Sequence, residues 1–167
     1  MSTNQKRILE KSQIEQIIRR MAYEVYENNH DAEKIYLAGI ANNGEKIAQL
    51  IQKEMNAISE IPVELIRIDI DKDAKRQPIV SYSAEPDVQD FTLIVVDDVL
   101  NSGRTMIYAF DPFLKMPVRN IQTAVLVNRT HKRFPVAVDY KGFELGTTIE
   151  EHIHVKLTEE EFGAYLY

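Results

Sequence analysis

Two adjacent carboxylates, Asp97 and Asp98, follow a short apolar run and come shortly before a polar loop. Residues 93–96 are apolar at every position, which is typical of a strand covered on both faces at the centre of a parallel sheet. In open α/β sheets, ligands bind beyond the carboxyl ends of such strands. The loop Asn101-Ser102-Gly103-Arg104-Thr105 adds hydroxyl groups and a glycine with wide backbone freedom. We therefore expect a ligand site here.

The residue types in this segment predict the chemistry of the ligand. Two neighbouring carboxylates can accept hydrogen bonds from the two hydroxyls of a ribose, or hold Mg²⁺ through water. The free N–H groups of a helix that begins near Arg104 would attract a phosphate. The segment therefore predicts a site for a phosphorylated ribose. The alternative is a turn with a helix cap, because Asp-Asp and Ser-Gly pairs are common in loops.

Alternating strands and helices are predicted to position this site. Periodic apolar residues predict a helix over residues 12–28, with Ser12 and Glu15 as its capping box. The further predictions are strands at 35–40, 63–70, 93–96, 121–127, 136–139 and 153–157, helices at 45–55 and 104–114, and a long loop or hairpin at 71–90. This order predicts one domain over residues 1–167, with an α/β, doubly wound sheet.

The composition excludes several classes of protein. The chain has 167 residues, of which 44% are hydrophobic and 28% are charged, as in ordinary globular proteins. The absence of cysteine excludes disulfides, thiolate catalysis and cysteine metal sites. The net charge of −6 argues against a general affinity for nucleic acid. The sequence has no apolar stretch of about 18 residues and no apolar signal core, so we expect a cytoplasmic protein without a membrane span.

Two other segments are candidates for binding anions or a base. Residues Ala41, Asn42, Asn43 and Gly44 follow a predicted strand and open a predicted helix, so their backbone could cradle pyrophosphate. The alternative is a simple turn between strand and helix. The basic cluster at residues 128–135 leaves the end of another strand and could neutralise pyrophosphate or stack on a base. Its alternative is a solvated basic loop.

The segment from Val95 to Thr105 resembles the phosphoribosyl pyrophosphate (PRPP) signature of type I phosphoribosyltransferases. The resemblance implies that Asp97 and Asp98 hold the ribose hydroxyls, while residues 101–105 bind the 5′-phosphate. It implies a pyrophosphate loop at residues 41–44. It also implies a mostly parallel central sheet with helices on both faces and a small hood.

The order of motifs over most of the chain resembles one subfamily, the bifunctional pyrimidine-operon attenuators/uracil phosphoribosyltransferases. The match includes Leu37-Ala38-Gly39-Ile40 and the segment from Ala124 to His131. In that subfamily, the segment that matches Arg129 and His131 lies by the nucleotide site, which implies that these two residues bind the base. The resemblance also implies a homodimer that uses PRPP, a nucleobase and Mg²⁺ held through water at the acidic pair. Uracil is the first choice of base, and hypoxanthine or guanine is the runner-up.

Two loops depart from the subfamily pattern. Residues 42 and 43 are asparagines, where the subfamily usually has a basic residue in its pyrophosphate loop. The segment at 69–76 lacks the pattern that opens the subfamily's mobile loop, although Lys72, Lys75 and Arg76 supply positive charge. We expect these three cations to assist pyrophosphate when the loop closes.

Two alternatives to catalysis stay open. One is an RNA-binding attenuator that senses nucleotide in the same pocket. Tyr23, Ala137 and Phe143 stand where the attenuator's RNA-binding face is basic, and with the net negative charge they argue against this alternative. Three cations of that face are retained, namely Arg19, Arg20 and Lys132. The other is a degenerate member that binds PRPP or nucleotide with poor turnover, which the two loop asparagines motivate.

Overall fold

The computed structural model describes residues 5–167 of the chain. Within this range the elements are, in order, β1 (Lys6–Glu10), α1 (Lys11–Asn28), β2 (Ile35–Ile40), α2 (Asn43–Ile58), β3 (Val63–Ile70), β4 (Val80–Tyr82), β5 (Phe91–Leu100), α3 (Arg104–Ala109), a 3₁₀ helix (Asp111–Lys115), β6 (Val118–Arg129), β7 (Tyr140–Leu145), β8 (Ile153–Leu157) and β9 (Phe162–Leu166).

The larger sheet has the strand order β4-β3-β2-β5-β6-β7. The strands from β3 to β7 in this order are parallel, and β4 pairs antiparallel with β3 at the edge. Every residue of β2 is buried, as is every residue of β5 except Asp98. From β2 the chain adds β3 on one side of the sheet, and from β5 it adds β6 and β7 on the other side. The direction in which strands are added therefore reverses between β2 and β5. The predicted doubly wound, mostly parallel sheet is confirmed, and ligands bind at such a reversal.

Helices cover both faces of this sheet, as predicted. On one face, α2 packs on β2 and β5, while α1 packs on α2 and β7, because the apolar residues of both helices recur at helical spacing. This core includes Ile14, Ile18, Met21, Ile47, Ile51, Leu37 and Ile94. On the other face, α3 and the 3₁₀ helix contribute Met106, Ala109 and Phe113 to a second core. Among residues 5–167, no helix is long and apolar enough to cross a membrane.

A smaller antiparallel sheet, with the order β1-β9-β8, forms the small hood. Its strand β9 pairs with β1 on one side and β8 on the other. The backbone oxygen of Val155 in β8 accepts a hydrogen bond of 2.8 Å from the Asn43 amide at the start of α2. The hood therefore lies over the edge of the larger sheet where β2 and β5 end.

Several boundaries differ from the sequence predictions. The helix α1 begins at Lys11, and its capping box joins Glu10 and Gln13 instead of Ser12 and Glu15. The backbone N–H of Glu10 donates to the Gln13 side chain at 2.8 Å. The predicted helix at 104–114 is two helices, because Pro112 lacks the N–H that would continue the α-helical ladder.

The predicted strand at 136–139 is wrong, and the strand in this region is β7. Val136 is apolar because it packs in the second core, beside the loop that contains Gly103. The 71–90 segment contains β4 and therefore forms a hairpin with β3. Strands β1 and β9 have no counterpart in the sequence predictions, since their pattern is short and partly exposed.

Candidate functional site

The acidic pair lies inside β5, which continues beyond its apolar run to Leu100. Asp97 pairs with Val125 of β6 across the sheet and is 4% exposed, whereas Asp98 is half-buried. The two carboxylates have different partners. Lys72 donates to Asp97 at 3.3 Å, and Asn43 donates to Asp98 at 2.9 Å. Each carboxylate therefore contacts a loop that the sequence predicts to bind pyrophosphate.

Burial has a large effect on the charge of Asp97. Removal from water, followed by the repulsion of Asp98, raises the pKa of the Asp97 carboxyl to about 7, against the opposing attraction of Lys72. Both causes disfavour the ionised form. A ligand that brings positive charge to this carboxylate would restore its ionisation.

The loop after β5 turns sharply into α3. Gly103 has a φ of 85°, a left-handed conformation that side chains rarely adopt, and it caps the start of α3. The backbone N–H of Arg104 contacts the Ser102 hydroxyl at 3.3 Å, and the N–H of Ile107 bonds to the Gly103 carbonyl at 3.0 Å.

A cavity of about 130 Å³ joins the acidic pair to this loop. The volume suits a phosphate group with ordered water. Its lining contains every residue that the sequence assigns to the ribose and phosphate, together with Lys72 from the mobile loop. The lining residues are Lys72, Asp97, Asp98, Val99, Leu100, Asn101, Ser102, Gly103, Arg104, Thr105, Met106 and Ile153.

The phosphate loop is braced from the neighbouring strand end. The Ser102 carbonyl accepts the backbone N–H groups of Arg133 and Phe134 at 2.8 and 3.0 Å. The Asn101 side chain accepts a hydrogen bond of 2.8 Å from Arg129. These contacts fix the loop before a ligand arrives, which reduces the entropy lost on binding.

The pyrophosphate loop at residues 41–44 lies directly beside the acidic pair. A Cβ atom on Gly44 would come within 2.4 Å of the Val96 carbonyl oxygen and 3.0 Å of the Asp97 Cα. Glycine is therefore required for the first turn of α2 to approach β5 so closely. Asn42 is exposed at the N-terminal cap of α2, while Asn43 bonds to Asp98 and to Val155 of the hood.

The mobile-loop residues differ in their placement. All three side chains are exposed, and that of Lys72 also contacts Asp97. The Arg104 guanidinium reaches across to this loop and donates to the carbonyls of Ala74 and Arg76 at 2.7 and 2.6 Å. Of the three predicted cations, the structure brings Lys72 to the site.

The proposed base-binding residues lie in a second cavity of about 330 Å³. It is lined by Asn101, Ser102, Arg129, His131, Lys132, Arg133 and Ile149. The first two of these also line the first cavity, so the phosphate loop forms a shared wall. Four basic or ionisable side chains surround this second space.

Arg129 is 7% exposed, and its side chain joins two separate segments of the structure. Its donors bond to Asn101, to the hydroxyl of Thr147 and to the carbonyls of Thr148 and Glu151. His131 contacts the Thr147 carbonyl. Both predicted base-binding residues therefore hold the 147–151 segment beside the phosphate loop.

Sequence reasoning missed two residues at these cavities. Ile149 is 82% exposed at the second cavity, and Ile153 lines the first. An isolated apolar residue between polar neighbours was the available signal for Ile149. Asn128 is buried at the carboxyl end of β6, and within residues 5–167 its side-chain oxygen has no hydrogen-bond partner. A buried acceptor of this kind is rare without water or a ligand.

The donor set of the acidic pair fits Mg²⁺, which prefers oxygen ligands and retains water. Among the described residues, no group of three or more His, Cys, Asp or Glu side chains could hold a metal ion. Asp97 and Asp98 would therefore share the ion with water and substrate oxygens.

The fold and the site together define a class of protein. A parallel α/β sheet carries a carboxylate pair, a phosphate loop and a second anion loop at the reversal point between β2 and β5. This arrangement has the chemistry to hold a sugar phosphate, and the comparisons with known proteins specify the family.

Residues 4–160 match the family described as "Phosphoribosyl transferase domain". The bifunctional protein PyrR of Macrococcus caseolyticus is 31% identical over 167 residues, covering 96% of each chain. Its namesake from Streptococcus pneumoniae is 34% identical over 158 residues, covering 92% of this chain and 91% of the other. The chain therefore belongs to the phosphoribosyltransferase family of pentosyltransferase enzymes, and the resemblance to the bifunctional subfamily is confirmed.

Solved structures agree on the fold. Hypoxanthine phosphoribosyltransferase from Trypanosoma cruzi superposes with a TM-score of 0.78 at 13% identity, covering 90% of this chain and 84% of the other. A hypoxanthine-guanine phosphoribosyltransferase from Bacillus anthracis gives 0.74 at 14% identity, covering 98% and 100%. At these identities the likeness establishes the architecture alone.

Proposed function

We propose that this chain transfers phosphoribose from PRPP to a nucleobase, releasing pyrophosphate and a nucleoside monophosphate. The observation that carries the proposal is the pair of adjoining cavities that share the wall formed by Asn101 and Ser102. One cavity offers carboxylates and a phosphate loop, and the other offers basic side chains and an apolar residue. A ribose phosphate in the first would place its reactive carbon between the two.

The acidic pair is assigned to the ribose. One carboxylate oxygen of Asp98 accepts the Val99 N–H and the other accepts the Asn43 side-chain amide, so the orientation of the carboxylate is fixed. Such a carboxylate can accept ribose hydroxyls with little loss of side-chain entropy. The 5′-phosphate is assigned to residues 101–105, whose backbone is already braced.

Pyrophosphate is assigned to the backbone of Ala41–Gly44, with Lys72, Lys75 and Arg76 supplying positive charge. The close approach of Gly44 to β5 supports this assignment, because it puts the first turn of α2 beside Asp97. The ammonium of Lys72 already contacts that carboxylate.

Mg²⁺ would be held by Asp97 and Asp98 through water and would neutralise charge on the phosphate oxygens. The protein residues hold the sugar and the base in line, which lowers the entropic part of the barrier. As the bond from the sugar to pyrophosphate loosens, the carboxylates stabilise positive charge on the ribose, as in glycoside cleavage. The 71–76 segment, which lies beside the acidic pair, would exclude water from the reacting atoms.

Uracil is the favoured base, through the resemblance to the uracil phosphoribosyltransferase subfamily. The second cavity supports a small ring, with Ile149 as an apolar contact and Arg129 and His131 holding the neighbouring segment. A homodimer is proposed from the resemblance, and sedimentation velocity tests it.

One assay tests the function directly. The protein is incubated with Mg²⁺, PRPP and each common base in turn, and pyrophosphate is measured. Release with uracil supports the proposal, and release with hypoxanthine or guanine would assign the runner-up base. No release with any base would contradict catalysis.

A variant tests the role of the acidic pair. Asp98→Asn should weaken PRPP binding by at least about tenfold, because it replaces one of the ribose acceptors. The matched control is Asp31→Asn, at an exposed ion pair with Arg119. Calorimetric titration measures both affinities, and circular dichroism checks the fold. An unchanged affinity in folded Asp98→Asn would refute the assigned role.

A second candidate is a nucleotide-binding regulator with poor turnover. It is favoured by the absence of a basic residue at positions 41–44 and by the commitment of Asn43 to Asp98 and the hood. This candidate predicts that PRPP raises the melting temperature while no pyrophosphate is released.

RNA attenuation has less support. Arg20 bonds to Glu24 and to two carbonyls of β7, and Arg19 pairs with Glu54, so both cations already serve intrachain contacts. A salt-dependent affinity for RNA would support attenuation in spite of these contacts.

A further inference from the structure

The side chain of Arg104 leaves the phosphate loop and reaches the 71–76 segment. Its Nη2 atom has two hydrogens, and both are donated, to the carbonyl oxygens of Ala74 at 2.7 Å and Arg76 at 2.6 Å. The guanidinium carbon lies 5.1 Å from the centre of the Tyr108 ring, a cation–π distance that supports this orientation. The guanidinium of Arg104 is therefore bonded to the 71–76 segment.

The other contacts of the segment hold it weakly. Lys72 pairs at 3.3 Å with Asp97, whose side chain is 5% exposed, but the Lys72 side chain is itself 42% exposed, so water competes for this single contact. Asp71 accepts the backbone N–H groups of Asp73 and Ala74, which shapes the turn without attaching it to the rest of the protein. Since the segment is polar, apolar packing adds little, and Arg104 supplies most of the attachment.

We propose that Arg104 is a positioning residue that fastens the 71–76 segment across the acidic pair before any ligand binds. As the first residue of α3, it belongs to the phosphate loop through its backbone and to the segment through its side chain. The two loops are thereby joined, and Lys72 is kept at Asp97. The consequence for catalysis rests on the proposed function: a ligand that displaces Lys72 from Asp97 leaves the ammonium beside the reacting atoms.

This role differs from that of a direct phosphate ligand. A residue that only bound phosphate would leave the ligand-free segment unchanged when substituted. A residue that fastens the segment would release it in the absence of any ligand. Trypsin separates these roles, because Lys72, Lys75 and Arg76 are its cleavage sites, and the carbonyl of Arg76 is itself held by Arg104.

The experiment compares limited tryptic digestion of ligand-free wild type, Arg104→Gln, Arg104→Lys and the control Arg119→Gln, in buffer without phosphate. The initial rate of cleavage after residues 72, 75 and 76 is followed by mass spectrometry of the amino-terminal fragments. Cleavage reports the population of the open segment when opening is fast. Arg104→Gln should be cut at least about tenfold faster, because both charge-assisted hydrogen bonds to the segment are lost and the loss of one alone corresponds to about this factor.

The cleavage rate of Arg104→Lys should lie between those of wild type and Arg104→Gln, because one ammonium reaches the carbonyls without the planar geometry of the guanidinium. Arg119→Gln should match wild type. A wild-type rate in folded Arg104→Gln would overturn the proposal. If that variant fails to fold, amide exchange of residues 72–77 in Arg104→Lys decides, and unchanged protection would also overturn it. Neither measurement involves PRPP or turnover, so a failure of the proposed function would leave these outcomes unaffected.

Discussion

Replacement of Asp97 by Asn should stabilise the metal-free protein at alkaline pH and remove a pH dependence that the wild type shows. In the folded state, burial and the neighbouring Asp98 raise the pKa of the Asp97 carboxyl from 3.8 to about 7. The unfolded chain ionises this group at its ordinary pKa. Folding is therefore favoured while the group is protonated, and this stability is lost as the pH rises through the folded pKa.

The magnitude follows from the two pKa values. Between pH 5 and pH 8, a group with a pKa of 3.8 unfolded and about 7 folded reduces the free energy of unfolding by about 2–3 kcal/mol. Asn has nearly the same shape and carries no charge at either pH. The difference in stability between Asp97→Asn and wild type should therefore increase by this amount over the interval.

Urea denaturation at pH 5, 6, 7 and 8 in the presence of EDTA measures the effect. The subtraction of one protein from the other removes the contributions of all groups that the substitution leaves unchanged. Parallel pH profiles for the two proteins would refute the argument that burial dominates the charge of Asp97. They would indicate that Lys72 keeps the carboxylate ionised.

Three further substitutions have defined outcomes. Gly44→Ala should lower the free energy of unfolding by about 1–3 kcal/mol, because its Cβ meets the Val96 carbonyl oxygen; urea denaturation measures this, and Gly146→Ala, with open space around it, is the control that should stay neutral. Arg129→Met should cost about 2–4 kcal/mol in the same assay, since four hydrogen bonds of a buried cation are lost, and a neutral result would contradict its bracing role. Asn42→Arg should tighten pyrophosphate binding about tenfold by calorimetric titration, because it adds a charge at the exposed cap of α2; an unchanged affinity would place pyrophosphate elsewhere.

Patterns that are local in the sequence were sufficient to predict the central elements. The strands at 35–40 and 63–70 have the predicted bounds, because continuous or alternating apolar residues identify buried strands. The phosphate loop was recognised since its acids, glycine and hydroxyls are adjacent along the chain. The first cavity then contains the residues assigned to it.

Contacts between distant segments had no local signal. The motif predicts that Arg104 belongs to the phosphate loop, yet its side chain bonds to residues 74 and 76. Arg129 was assigned to the base, yet its donors hold Asn101 and the 147–151 segment. A sequence motif predicts where the backbone of a residue lies. The direction of a long side chain depends instead on segments that are distant in the sequence and pack against it in the fold.

The pairing of β1 with β9 in the hood also constrains how the chain reaches its final form. Lys6 pairs with Leu166, so the ribosome produces about 160 further residues before the first strand meets its partner. The larger sheet can assemble earlier, because its strands from β2 to β7 are complete by Leu145. During synthesis β1 must therefore wait without a partner, and such long-range pairing is intrinsically slow. Completion of the hood is expected to be the last step in the maturation of a newly made chain.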